Sequence, residues 1–318
     1  MGKATDEMTR LQAADDAGIA EAVRLLAGGA LVGLPTETVY GLAADADNPH
    51  AVAKIYAAKG RPSFNPLIVH VADRAMAERY ARFSPLAERL EAMFWPGPLT
   101  LVLPRADHCP AAALATAGLP GIAIRAPAHP VMQAVIRGLG RGLAAPSANA
   151  SGRLSPTRAA HVLASLAGRL PLVLDGGPSG AGLESSIVQV HDGTATLLRH
   201  GAIAREDIEA ALGHPIAMAT DGAAIAAPGM LLRHYAPSLP VRLDVVSAMA
   251  GEWHIGFGAV AGDESLSASA DLAEAAARLF DALHRAEASG RTGIAVAPIP
   301  ETGLGAAIND RLRRAARG

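Results

Sequence analysis

The apolar pattern of the chain switches repeatedly between the period of a helix and that of a buried strand, and this restricts the fold more than any single motif. Residues 16–29, "DAGIAEAVRLLAGG", carry apolar side chains at helical spacing and stop at Gly28–Gly29. "ALVGLP" follows as a short buried strand, and "PHAVAKIYAAKG" predicts a second helix, with Pro49 near its start and Gly60 after its end. Strands over "PLIVHV", "LTLVLP" and "GIAIRAP" alternate with helices over "SPLAERLEAMF" and "HPVMQAVIRGL". After the apolar-to-polar run "GLAAPSANASG", the segment "SPTRAAHVLASLAG" opens with Ser155 as the expected N-cap and Pro156 at the first helical position. Three strand segments then crowd together, "PLVLDGG", "SSIVQV" and "ATLLRHG", before a short helix over "REDIEAALG". Alternation of this kind builds α/β layers. The crowded strands near 172–198 predict a twisted mixed sheet, parallel and antiparallel, with flanking helices.

The pattern breaks at 214–239, which is rich in Ala, Pro and Gly and keeps no period. Beyond it, "VRLDV", "HIGFG", a long helix over "DLAEAAARLFDALHRAEAS", "GIAVAPI" and a helix over "AAINDRLRRAA" form a smaller C-terminal α/β unit. The expected domains are therefore 14–213 and 240–318, joined by a linker over 214–239. A length of 318 residues suits two domains, and the hydrophobic half of the chain is enough for substantial cores.

Composition narrows the function classes. A net charge of −2 gives no global basic field for nucleic acid, although local basic patches remain open, and aromatic residues are only 3%. The single cysteine, Cys109, excludes an intrachain disulfide and a Cys-rich zinc site. The N-terminal stretch "MGKATDEMTRLQAADDAG" is polar and acidic without an apolar signal core, and no apolar run is long enough to span a bilayer. The cytoplasm is the expected location. No P-loop, HExxH, GxSxG or well-placed GxGxxG occurs.

The chemistry-bearing residues lie in loops and at strand ends. The chain uses lysine only at Lys3, Lys54 and Lys59, yet Lys59 stands two residues before Arg61 in a Gly/Pro loop. A compact point charge beside a planar fork offers one polyphosphate two kinds of donor. A helix C-terminus would also favour such cations. In "LPTETVYGLAA", Thr36 and Thr38 offer hydroxyls to a polar small molecule, or cap a turn. In "APSANASG", Ser147 and Asn149 are two apart; an extended segment would turn both to one side. Arg125 ends the strand "GIAIR", where it suits a carboxylate or an internal ion pair. "GLESSIV" places Ser185 at a strand start, and "LLRHG" places Arg199 at a strand end.

Taken in order, "PTETVYGL", "KGRPSFNPLIVH", "WPGPLTLVL", "IAIRAPAHP", "APSANASGRLSPT", "GLESSIV" and "LLRHGAI" resemble the YrdC-like family. "APGMLLRHYAP" and "GLGAAINDRLRRAA" resemble its long, two-domain threonylcarbamoyl-AMP synthase branch, with the densest likeness over 18–237. The resemblance implies a mixed α/β sheet with a concave, positively charged cavity. It implies a nucleotidyltransferase that joins L-threonine, bicarbonate and ATP into L-threonylcarbamoyladenylate and releases pyrophosphate. The product would serve N6-threonylcarbamoylation of adenosine 37 in tRNA. The implied partners are threonylcarbamoyl-transferase proteins acting on tRNA, with weak tRNA contact left open and no membrane. The implied cofactor is Mg²⁺, brought with ATP and held largely by phosphates and water.

By the same likeness, Lys59 and Arg61 are catalytic, and Lys59, Arg61, Asn65, Gly121, Ser147, Asn149, Ser155, Arg199 and Tyr235 face ATP. Thr36, suggested by its own loop, joins Thr38, His70, Arg125, Ala145 and Ser185 around threonine. The linker carrying Tyr235 would be a lid. Two positions depart from the pattern: His200 stands where proline is expected, and Phe64 where an acidic residue is common. Two rivals are a carbamoyl-adenylate former of the hydrogenase-maturation kind, disfavoured by the single cysteine, and an RNA-binding module without adenylation.

Overall fold

A computed structural model of the chain describes residues 8–219 and 235–317. The first unit contains β1 (Arg10–Ala13), α1 (Asp16–Ala27), β2 (Val32–Leu34), β3 (Gly41–Asp45), α2 (Pro49–Lys59), β4 (Ile68–His70), α3 (Arg74–Ala77) and α4 (Pro85–Phe94). It continues through β5 (Leu99–Pro104), β6 (Gly121–Arg125), α5 (Pro130–Leu139), β7 (Leu143–Ala144), α6 (Ala159–Leu166) and β8 (Leu172–Asp175). It ends with β9 (Ser186–His191), β10 (Thr194–Arg199), α7 (Arg205–Leu212) and β11 (Ala217–Met218). The second unit contains β12 (Val241–Arg242), β13 (Glu252–Gly256), β14 (Glu264–Ser265), α8 (Leu272–Ala288), β15 (Gly293–Val296) and α9 (Leu304–Ala315).

The large sheet runs β1-β8-β2-β3-β7-β4-β6-β5-β9-β10-β11 and is mixed as expected. The pair β4–β6 is parallel, whereas β5–β6 and β9–β10 are antiparallel. The smaller sheet, β12-β15-β13-β14, is wholly parallel. Strand β1 lies outside the expected 14–213 domain but pairs with β8, and β11, inside the expected linker, pairs with β10. Residues 220–234 of that linker lie outside the described residues. Among the described residues no helix is long and apolar enough to cross a membrane.

Alternation along the strands decides which helices cover which face. Leu172 and Leu174 join α1 and α5 on one side, whereas Val173 joins the larger core beneath α2, α4, α6 and α7. Over β4, β6, β5 and β9 the α1/α5 side carries only a small apolar cluster, Ile68, Val102, Ala123 and Ile187. The candidate site opens there.

Two helix starts illustrate how local chemistry fixes boundaries. The Asn48 side chain accepts from the His50 and Ala51 amides at the head of α2, Pro49 follows, and Gly60 closes the helix at φ 61°. The expected cap of α6 is corrected. The helix begins at Ala159 with Arg158 at the N-cap and no side-chain cap. Ser155 instead hydrogen-bonds Glu184, and the Pro156 carbonyl accepts from the Tyr40 amide at 2.8 Å.

The second unit is not separate in its packing. Val39, Leu154 and Leu183 of the first unit share an apolar cluster with Tyr235, Leu279, Phe280, Leu283 and Ile308.

Candidate active site

In the parallel pair β4–β6, His70 stands opposite Arg125, two residues beyond the Ile68–Ala123 partners. A period of two places all four on one face. An open-mouthed hollow lies above them. Its walls include Arg61, His70, Arg125, Ser185, Arg199 and Tyr235, with Thr36, Thr38, Ala145 and Ser147 of the expected set also present. The sheet supplies the floor, the loop after β2 one side, the loop after α2 a second, and β10 with Tyr235 a third.

The loop after α2 is fixed by its own arginine. Arg61 donates from Nε to the Asn65 carbonyl at 3.1 Å, and from Nη2 to Asn65 Oδ1 and the Pro66 carbonyl, both at 2.7 Å. Burial draws its pKa down to about 10, which still leaves a full cation at neutral pH. Asn65 thus orients Arg61 and is not part of the hollow's lining.

Lys59 is turned to protein. Its Nζ donates to the Ser147 carbonyl at 2.5 Å and to the Asn149 carbonyl, with Asn149 Oδ1 at 3.5 Å, and its own carbonyl accepts from the Ser151 amide at 2.8 Å. Burial, and then Arg61, hold its ammonium well below the usual lysine range. The two polar pairs at 59/61 and 147/149 therefore do converge, but through this internal clasp. The chain bends at Ala148–Asn149 instead of running extended, so Ser147 faces the hollow while Asn149 Nδ2 donates to the Ala150 and Arg153 carbonyls. The expectation that both side chains share one side is corrected accordingly.

Arg125 is 3% exposed and pairs with Glu37 at 2.6 Å through Nη2, while Nη1 donates to Thr38 Oγ1 at 2.8 Å and Nε to the Gly97 carbonyl at 3.1 Å. Burial pushes the Glu37 carboxyl up, but Arg125 and the Ala128 amide outweigh it and leave Glu37 below the usual range. Thr36 Oγ1 donates to the Val39 carbonyl at 2.6 Å, so in its 2.8 Å contact with Thr38 the Thr38 hydroxyl is the donor. Thr36 shapes the turn as well as lining the wall. His70 is held neutral: burial, then Arg125, bring its pKa to about 3, and Nδ1 has no hydrogen-bond partner among the described residues.

On the opposite wall, Arg199 Nη2 donates to the Ser185 carbonyl at 2.8 Å, and Ser185 Oγ lies 2.7 Å from Thr100 Oγ1. Tyr235 holds φ 62°, a left-handed value uncommon outside glycine, and its buried ring lies 5.7 Å from that of Phe280. Gly121, at the start of β6, and Ser155 are absent from the lining. The sequence reading missed Glu184, Val39, Ile68 and Pro146, which do line it. Glu184 had a signal, since an acid directly before Ser185 sits in the motif that was singled out.

Comparison with known proteins bears on this arrangement. Residues 24–201 match the family model of Sua5, YciO and YrdC proteins, described as telomere recombination. Residues 203–317 match the model described as threonylcarbamoyl-AMP synthase, C-terminal domain. A threonylcarbamoyl-AMP synthase of Bacillus subtilis is 41% identical, over 99% of this chain and 96% of that protein. One from Pyrococcus abyssi is 39% identical, over 92% and 93%. The crystal structure of P. abyssi Sua5 complexed with L-threonine superposes with a TM-score of 0.89, at 36% identity, covering 97% of this chain and 98% of that one. Escherichia coli YciO, 19% identical with a TM-score of 0.55, shares the fold over 61% of this chain and 96% of its own.

Proposed function

The chain belongs to the threonylcarbamoyl-AMP synthase family, and we propose that the hollow above β4 and β6 is where its reaction takes place. The protein is a nucleotidyltransferase that makes L-threonylcarbamoyladenylate from L-threonine, bicarbonate and ATP, releasing pyrophosphate, for tRNA threonylcarbamoyladenosine modification. The observation that carries the site assignment is the convergence of three buried arginines, Arg61, Arg125 and Arg199, with Ser147, Ser185 and Thr38 around one hollow.

In this reading threonine enters over β4 and β6. Its carboxylate meets the N–H groups of Arg125 not directed at Glu37, Thr38 or Gly97, and its side chain lies near His70 and Ala145. His70 is held neutral there and so adds no charge beside that side chain. A site that hydrogen-bonds the threonine hydroxyl is left unpaired by valine, which disfavours it. The triphosphate lies between Arg61, Ser147 and Arg199, with Tyr235 beside the nucleotide.

The threonine amine first attacks the bicarbonate carbon, a C–O bond breaks, and water leaves to give a carbamate. One carbamate oxygen then attacks the α-phosphorus, the bond to the β-phosphate oxygen breaks, and pyrophosphate departs. Arginines already fixed by protein acceptors offset the building charge without reorganising. Lys59 contributes by clasping the Ser147–Asn149 backbone. Mg²⁺ would arrive on the triphosphate and neutralise part of its charge. Among the described residues no three His, Cys, Asp or Glu side chains are grouped for a metal, and Glu37 and Glu184 are each engaged by an arginine. The ion is therefore expected on phosphate and water oxygens. The labile product would pass to threonylcarbamoyl-transferase proteins acting on tRNA.

The test is pyrophosphate release from ATP by the purified protein, with threonine and bicarbonate supplied together and separately. Release that requires both is expected. Equal release from ATP alone would overturn the reading.

A further inference from the structure

We propose that Arg311, delivered by α9 of the second unit, is a positioning residue for nucleotide binding: it neutralises and orients Glu184, so that a hollow built for a triphosphate does not present it with a bare carboxylate. The inference rests on the reading above only in taking ATP as the anion.

Arg311 is 0% exposed although it belongs to a helix on the far side of the linker. Its Nε donates to Glu184 Oε2 at 2.7 Å, Nη1 to Asp310 Oδ2 at 2.5 Å and Nη2 to the His200 carbonyl at 2.8 Å. Its guanidinium carbon lies 5.0 Å from the centre of the Tyr235 ring. One side chain thus grips the residue before Ser185, the residue after Arg199, and the aromatic wall. All three segments line the hollow.

Glu184 explains why a cation is needed there. It is buried and lines the hollow, and its other oxygen takes the Ser155 hydroxyl. Burial raises its pKa, but Arg311 and then Arg199, with the Ser155 hydrogen bond, outweigh this and hold it ionised. Arg311 itself ends above the usual arginine range, because Tyr235, Glu184 and Asp310 outweigh its burial. The charged and titratable groups around Glu184 are Arg311 and Asp310 on α9, Arg199 on β10, and Tyr235 in the linker. Removing Arg311 leaves Arg199 to serve both this carboxylate and the triphosphate. Breaking one side of a buried pair is far more damaging than replacing both sides.

The experiment uses the full chain as wild type, Arg311→Met and the double variant Glu184→Gln/Arg311→Met. Calorimetric ATP binding is measured for all three at one pH. Arg311→Met should weaken ATP binding about tenfold or more, because Glu184 then faces the triphosphate with one cation fewer. The double variant should return to within about threefold of wild type. Simple packing by Arg311 would not give the rescue. Unchanged binding by Arg311→Met, or a folded double variant that still fails to bind ATP, overturns the proposal. If Arg311→Met alone does not fold, recovery of ATP binding in the double variant still supports charge compensation. Wild-type protein that binds ATP but releases no pyrophosphate with threonine and bicarbonate would sink the functional reading and leave this inference to the binding data.

Discussion

Lys59 shows how far a residue's type can be read and where its direction cannot. Its rarity in an arginine-rich chain marked it out, and it does meet the Ser147–Asn149 segment. Its donors reach backbone carbonyls because that segment turns at Ala148–Asn149, a bend that a two-residue spacing does not reveal. Lys59→Met would strand those carbonyls, lowering stability by about 1–3 kcal/mol and displacing Ser147. Denaturant unfolding should show the loss, and pyrophosphate release should fall with it. A variant as stable as wild type would show that the clasp is dispensable. Arg125 was legible as a buried strand-end charge, but its partner was not, since nothing in "PTET" distinguishes Glu37 from a ligand-facing acid. His70, with its pKa near 3, should leave no inflection in the activity profile between about pH 5 and 9. An inflection that moves in His70→Gln would contradict this.

At the scale of elements, long periodic segments were legible, and brief strands only where an apolar or alternating run marked them, as at β2, β4 and β12. Helices α2, α4, α5 and α8 carry Pro, Ser, Asn or Asp signals at their heads, and α1, α2 and α5 end in glycine. Strands β7, β11 and β14 have two residues each, too few for any period, and β1, "RLQA", is a largely exposed edge strand. Ser155–Pro156 imitated a helix start because the chain needed Ser155 for Glu184 instead. Gly60 is the joint on which the α2 loop depends. A Cβ there meets nothing within 4 Å, so Gly60→Ala is opposed by its φ of 61° alone, at about 1–2 kcal/mol. Chemical denaturation should find that loss; a neutral effect would mean the turn relaxes freely.

At the scale of the whole molecule, the second unit is joined to the first through contacts between positions far apart in sequence, which no local pattern discloses. Arg153 meets Glu287 at 2.5 Å, Arg158 meets Asp281 at 3.0 Å, and the His161 and His284 rings stack with centroids 3.8 Å apart. His284 also lies 3.1 Å from the Ser155 carbonyl. Burial, then the neighbouring His284 charge, depress His161 to about 4, and burial lowers His284 too. A histidine depressed in this way takes up a proton more readily when the units part. Its stabilising contribution is therefore complete above about pH 6.5 and is lost as pH falls towards 4. Melting temperature should drop on acidification from about pH 7 to about 5, and drop less in His161→Phe/His284→Phe. Equal slopes would remove the pair from the seam. Gly182, at φ 68°, packs directly on the second unit, since a Cβ would lie 2.4 Å from the Ala276 carbonyl oxygen on α8. Gly182→Ala should cut pyrophosphate release more than Gly60→Ala does at matched stability. Equal losses would show that the seam tolerates being pried open.

The crossing of Val39, Leu154 and Leu183 into the other unit's core has one more outcome. Were translation to stop after α7, those three greasy side chains would meet water beside the substrate mouth, and the shortened product would tend to clump. Recovering a well-behaved fragment would then call for hydrophilic replacements at these three places.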